Sequence, residues 1–114
     1  MSPAPRFLEF APGIYRSPLP LAREVAAFAA IGGATVVDLT QRPRPTIARA
    51  CARLGLVYLK HGLPYDFTEA MVETAAGVVL VAPRLTLVHC FHGRDRTGAV
   101  VVRVRAILGE TSQC

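Results

Sequence analysis

The sequence contains no tryptophan and a single lysine, Lys60. It has no apolar run near the ~18 residues that a membrane-spanning helix needs; one candidate, Ala75 to Pro83, is closed by Arg84. Its start, Met1-Ser2-Pro3-Ala4-Pro5-Arg6, lacks the basic-then-apolar layout of a secretory leader, so a cytoplasmic protein without a membrane span is the expectation. The three cysteines, Cys51, Cys90 and Cys114, lack metal-ligand spacing such as C-x-x-C. Their odd number also argues against a disulfide scaffold, so reduced thiols are expected. There are no repeats and no low-complexity tract. Charged residues are scarce, 18% against 52% hydrophobic, which excludes disorder of the whole chain.

What is present fits one domain. A chain of 114 residues is near the usual domain size, so residues 1–114 are expected to form a single unit, with 1–5 a loose arm. The net charge is +5, carried almost entirely by arginine, the side chain suited to gripping oxyanions with two donors. An anionic partner follows from that charge. Nucleic acid is not expected, because aromatics are few and the arginines form no stripe.

Two hydrophobic periods alternate along the chain. Phe7 to Ser17 reads as two short strands around Pro12-Gly13, and Leu21 to Ile31 as a helix stopped by Gly32-Gly33. Thr35 to Leu39 is a β-branched run and reads as a buried strand. Pro43-Arg44-Pro45 opens a helix over Thr46 to Leu54, closed by Gly55. Leu56 to Lys60 reads as a strand, His61 to Phe67 as a loop, and Thr68 to about Val81 as a helix weakened by Gly77. Leu85 to His89 is a strand. Thr97 to Leu108 is a helix with Val100, Val104, Ile107 and Leu108 on its apolar face and Arg103 and Arg105 together on another. Strands separated by helices predict an α/β fold: a central, mainly parallel sheet of four to five strands flanked by helices on both faces.

The chemistry concentrates in His89-Cys90-Phe91-His92-Gly93-Arg94-Asp95-Arg96-Thr97-Gly98, between the last strand and the last helix. That junction is where open α/β sheets bind ligands. A short loop entering a helix aims several backbone N–H groups at one point. Gly93 and Gly98 permit the tight path. Arg96, six residues after Cys90, can fold back as a clamp. A thiol in such a positive bowl has a depressed pKa, and a thiolate inside an oxyanion cradle is built to attack phosphorus.

Cys90, five residues, Arg96 and then Thr97-Gly98 resembles the Cys-x5-Arg-Ser/Thr signature of the protein tyrosine phosphatase superfamily, and His89 before it fits as well. Gly13-Ile14-Tyr15-Arg16-Ser17-Pro18-Leu19-Pro20 resembles a segment of its compact atypical dual-specificity members. Val36-Val37-Asp38-Leu39 and Leu63-Pro64 fall where those proteins have a strand and a loop. The resemblance implies a phosphatase-like fold; the sequence departs from the family in ending 24 residues beyond Cys90, so a minimal version lacking C-terminal helices is the expectation, and an uncovered apolar face would favour a homodimer. It implies that Cys90 attacks phosphorus to give a phosphocysteine, with the Arg96 side chain and the amides of Phe91, His92, Gly93, Arg94, Asp95 and Arg96 holding the phosphate oxygens. Thr97 would bond the sulfur as it leaves, and His89 would orient Cys90. No metal or other cofactor is implied. The family's general acid is a loop aspartate, for which Asp66, 24 residues before Cys90, is the best match.

Competing readings stand beside these. Asp66-Phe67-Thr68-Glu69 also reads as a capping box, so Asp66 is acid, cap, or both, with Glu69 the fallback acid. Asp38, Tyr15 and Arg16 read as structural. Asp95 orients water or substrate, or pairs with an arginine. Cys51 reads as core, with a redox link to Cys90 depending on geometry. Cys114 reads as an exposed terminal thiol. Arg42 and Arg44 read as a solvated loop, or as guides for an anionic substrate. The expected substrate is a phosphorylated protein or a small phosphate ester, phosphotyrosine first. An inositol phosphate or phosphoinositide is the alternative, since relatives of this type include inositol pyrophosphate phosphatases. A phosphate-binding module without turnover is the non-enzymatic alternative.

Overall fold

A computed structural model describes residues 4–112 of the chain, and for 110–112 the backbone alone. Cys114 lies outside the described residues, as does most of the expected arm; Ala4 and Pro5 are exposed and irregular. The elements run β1 (Leu8–Ala11), β2 (Ile14–Ser17), α1 (Ala22–Ala30), β3 (Thr35–Asp38), α2 (Pro45–Leu54), β4 (Val57–Lys60), α3 (Glu69–Val81), β5 (Thr86–His89) and α4 (Asp95–Ser112). The five strands form one sheet in the order β1-β2-β5-β3-β4. β1 and β2 are an antiparallel hairpin, and every other pairing is parallel. The expected mainly parallel α/β sheet is therefore what forms.

Side-chain alternation along each strand divides the core in two. Val36, Leu87, Tyr15 and Tyr58 face α1 and α2, where they pack with Val25, Phe28, Ile47 and Cys51. Val37, Leu39, Val88 and Cys90 face α3 and α4, where they meet Val72, Val79, Val100 and Val104. Burying an aliphatic side chain of this size contributes ~1.5–3 kcal/mol, so both layers are needed to hold so short a chain. Phe7, Tyr15 and Phe28 add a triangle of edge-to-face contacts with centroids 5.5–5.8 Å apart.

Element ends follow local chemistry. Gly55 closes α2 in the left-handed conformation, which costs a residue without a Cβ little. Gly33 ends the turn after α1, where a Cβ would collide with the Phe28 ring. Three expectations need correction. The hydroxyl of Thr68, not the carboxylate of Asp66, caps α3 by accepting the Met71 amide at 3.3 Å. α4 begins at Asp95, two residues before the expected start, because an acidic residue is favoured in a helix's first turn. Arg103 and Arg105 do not share a side, since residues two apart on a helix diverge by about 200°. Arg103 pairs with Glu73 of α3, while Arg105 donates to the Phe10 carbonyl at 3.2 Å.

Candidate active site

The parallel strands β2, β5, β3 and β4 end along one edge of the sheet, and β5 occupies its centre. The segment from Cys90 to Arg94 leaves that central strand and turns directly into α4. Three features fix it. The Leu19 amide donates to the Phe91 carbonyl at 2.9 Å. Arg16 donates to the Gly93 carbonyl at 2.9 Å from 77 residues away in sequence. Gly93 itself has φ +75°, and a Cβ there would lie 2.8 Å from the Pro18 nitrogen. The Tyr15-Arg16-Ser17-Pro18 segment is thus the back wall of the cysteine loop, which gives the structural reading of Arg16 its physical content.

Cys90 is buried, 2% exposed, at the start of the loop. Its sulfur accepts the Gly93 amide at 3.2 Å. Burial pushes the thiol pKa up, but the Thr97 hydroxyl and amide, the Gly93 amide and the Arg96 charge outweigh it, and the net shift is downward. The Thr97 hydroxyl is buried, with no hydrogen-bond acceptor of oxygen or nitrogen among the described residues, which leaves it free for the neighbouring sulfur. Arg96 is buried in the first turn of α4, with its Nη1 3.2 Å from the Leu63 carbonyl and its guanidinium 4.3 Å over the Tyr65 ring. His89 is wholly buried, with Nδ1 3.1 Å from the Cys90 carbonyl. Burial lowers its pKa despite the facing Asp38.

Beside the loop lies a cavity of about 320 Å³. Phe91, His92 and Arg96 line it on one side, Thr40, Gln41, Arg42 and Arg44 on another, and Tyr65 closes it. Arg44 also lies over the Phe91 ring, 5.6 Å from its centroid. Arginine donors therefore surround a hollow large enough for a phosphate ester. Among the described residues no group of three His, Cys, Asp or Glu side chains is placed to hold a metal ion.

The structure brings together His89, Cys90, Phe91, His92, Gly93, Arg96 and Thr97. Arg94 and Asp95 are exposed at the loop's exit. Asp66 is exposed in the loop before α3 and is not among the residues lining the cavity, although its neighbour Tyr65 is. Glu69 opens α3 and lines a separate groove between α3 and α4. Cys51 packs on the opposite face of the sheet from Cys90, which removes the redox pairing. Sequence reasoning missed Tyr65, Thr40 and Gln41, for which no local pattern spoke. Arg42 and Arg44 prove to be cavity walls rather than a merely solvated loop.

No protein-family model matches the sequence, and a search of curated proteins finds no match. Solved structures do match. The core catalytic domain of the PP-IP phosphatase SIW14 from S. cerevisiae, in complex with citrate, superposes with TM-score 0.82 at 21% identity, over 92% of this chain and 68% of that one. TpbA from P. aeruginosa superposes with TM-score 0.77 at 25% identity, over 90% of this chain and 64% of that one. A Cys→Ser form of TpbA in complex with phosphotyrosine gives TM-score 0.71 at 25% identity, over 96% of this chain and 74% of that one. The fold of the chain is that of the compact, atypical phosphatases of the protein tyrosine phosphatase superfamily.

Proposed function

We propose that the protein is a cysteine-dependent phosphomonoester hydrolase. The observation that carries this reading is the Cys90 sulfur, its pKa lowered by Thr97, Gly93 and Arg96 at the entry to a loop that turns into a helix. In the proposed reaction the Cys90 thiolate attacks phosphorus. An S–P bond forms as the P–O bond to the leaving group breaks. The amides from Phe91 to Asp95 and the Arg96 guanidinium take up charge on the phosphate oxygens. Asp66 donates the proton that the leaving oxygen needs. In the second step water attacks the phosphocysteine and gives its proton to Asp66. The thiolate departs toward the Thr97 hydroxyl, and inorganic phosphate is released. Neither step calls for a metal or an organic cofactor.

Phosphotyrosine or a small aryl phosphate is the first substrate class of this reading, in keeping with the TpbA complex. Arg42 and Arg44 on the cavity wall favour one second reading, a substrate carrying further anionic groups such as an inositol phosphate. The test is phosphate release from para-nitrophenyl phosphate in the presence of chelator, by wild type and by Cys90→Ser, followed by a panel of inositol phosphates. Turnover that survives chelator and vanishes in the variant is the expected result. A folded wild type that binds phosphate without turnover would make the protein a binding module instead.

A further inference from the structure

At the carboxyl edge of the sheet, Ser17, His89, Asp38 and Lys60 lie side by side on β2, β5, β3 and β4. Asp38 is fully buried. A carboxylate survives in such a place only when it is paired and hydrogen-bonded. Its Oδ1 accepts the Thr40 amide at 2.8 Å and the Thr40 hydroxyl at 2.6 Å. Its Oδ2 accepts the Tyr58 hydroxyl, and Lys60 Nζ at 3.1 Å. Burial raises the carboxyl pKa, but facing His89 and the Thr40 and Tyr58 donors outweigh it, so the group is held ionised.

Two chains of contacts leave this carboxylate. On one side His89 Nε2 lies 3.8 Å from Oδ1, beyond hydrogen-bond distance and without a hydrogen-bond partner among the described residues, while the same ring meets the Cys90 carbonyl through Nδ1. On the other, Lys60 Nζ reaches Thr40 Oγ1 at 3.0 Å and the Arg42 carbonyl, and Arg44 Nε donates to Thr40 Oγ1 at 3.2 Å. Arg44 then lies over Phe91 of the cysteine loop.

We infer that Asp38 is a positioning residue: one buried carboxylate packs at 3.8 Å against the His89 ring that backs the cysteine loop, and holds the Arg42 and Arg44 wall of the cavity through its hydrogen bonds to Thr40 and Lys60. It is not among the cavity-lining residues and acts through its neighbours. The kinetic part of this inference rests on the phosphatase reading. The structural part does not.

The sign of one measurement separates positioning from mere proximity of charge. A carboxylate near a thiol disfavours the thiolate, so its removal alone lowers the thiol pKa. Loosening the loop instead withdraws the Gly93 and Thr97 donors from the Cys90 sulfur and raises it. The groups facing Asp38 are Tyr58 and Lys60 from β4, His89 from β5, Thr40 from the segment before α2, and Cys51 from α2; Arg96 of α4 faces Cys90.

The experiment uses the full chain with Asp38→Asn, which keeps the shape, and Lys60→Met, which keeps the carboxylate. The pH dependence of iodoacetamide alkylation, read on the Cys90 peptide by mass spectrometry, gives the thiol pKa without turnover. Hydrolysis of para-nitrophenyl phosphate gives kcat and KM. Asp38→Asn is expected to raise the thiol pKa by about half to one unit and to lower kcat/KM about 10-fold, in line with the cost of small misplacements at a reacting centre. Lys60→Met is expected to raise KM about 3-fold, a loss of one tether of the arginine wall. A thiol pKa that falls or stays put in folded Asp38→Asn overturns the inference. Should Asp38→Asn not fold, an unchanged KM in Lys60→Met overturns it. A wild type without turnover whose thiol pKa still rises in Asp38→Asn removes the phosphatase reading and supports the positioning role.

Discussion

The two described cysteines differ in environment, and reactivity follows. Burial and the charge of Asp38 push Cys51 up to about 11, whereas donors hold Cys90 below the ordinary thiol value. Iodoacetamide near neutral pH should therefore label Cys90 and spare Cys51, as peptide mass spectrometry will show; equal labelling of both would contradict the assigned environments. The thiolate is the reactive form, so kcat/KM rises with pH through the Cys90 pKa. Because that pKa is lowered, the rise is complete at a lower pH than for an unperturbed thiol. Asp66→Asn should cost ~10²–10⁴ in kcat toward an alkyl phosphate, and less toward para-nitrophenyl phosphate, whose leaving group needs little protonation. At this scale the sequence exposed Cys90, Arg96, Thr97 and His89, because a loop of fixed length carries them together. Tyr65 escaped notice as a cavity wall, and Arg44 could be offered only as one of two readings, because each reaches the cavity from a separate loop. Asp66 could be read as a cap because Asp and Thr offer the same kind of oxygen two residues apart, and only the backbone path selects Thr68.

Among the elements, glycines separate site from scaffold. Gly93→Ala places a side chain at positive φ and against Pro18, which should cost about 1–3 kcal/mol and reduce activity together with stability. Gly77 lies inside α3, and a Cβ added there would meet only open space. Gly77→Ala should stabilise the protein by about 0.5–1 kcal/mol with activity retained, a result that thermal unfolding and a rate assay check together. The helix runs through Gly77 because Val72, Ala75, Ala76 and Val79 bury one face, and tertiary packing outweighs a single weak position. Most elements were legible from period and punctuation, with shifts confined to their ends. The start of α4 was missed because Arg94 and Asp95 belong both to the phosphate-type loop and to the approach and first turn of the helix.

For the whole molecule, alternating strands and helices disclosed a parallel sheet covered on both faces, but not the central place of the last strand. Register and strand order arise from long-range pairing that no local window contains, and with them the row from Ser17 to Lys60. The segment just before β1 is also bound into the fold at Arg6. Arg6 pairs with buried Glu24 at 2.7 Å, and Arg6 and the Leu21 amide lower the Glu24 pKa, against burial, to about 2. A depressed carboxylate stabilises the fold fully above its ordinary value of 4.5 and loses that contribution as pH falls through about 2. Glu24→Gln should therefore lower stability at neutral pH and flatten its decline in acid, as circular dichroism across an acid titration will report. The central claim concerns bond formation at one sulfur, and rapid acid quenching of the enzyme during turnover of para-nitrophenyl phosphate tests it most directly. The account predicts one phosphoryl group on the peptide containing Cys90, absent from Cys90→Ser. Steady turnover with no phosphate ever trapped on that peptide, or undiminished turnover by Cys90→Ser, would contradict it.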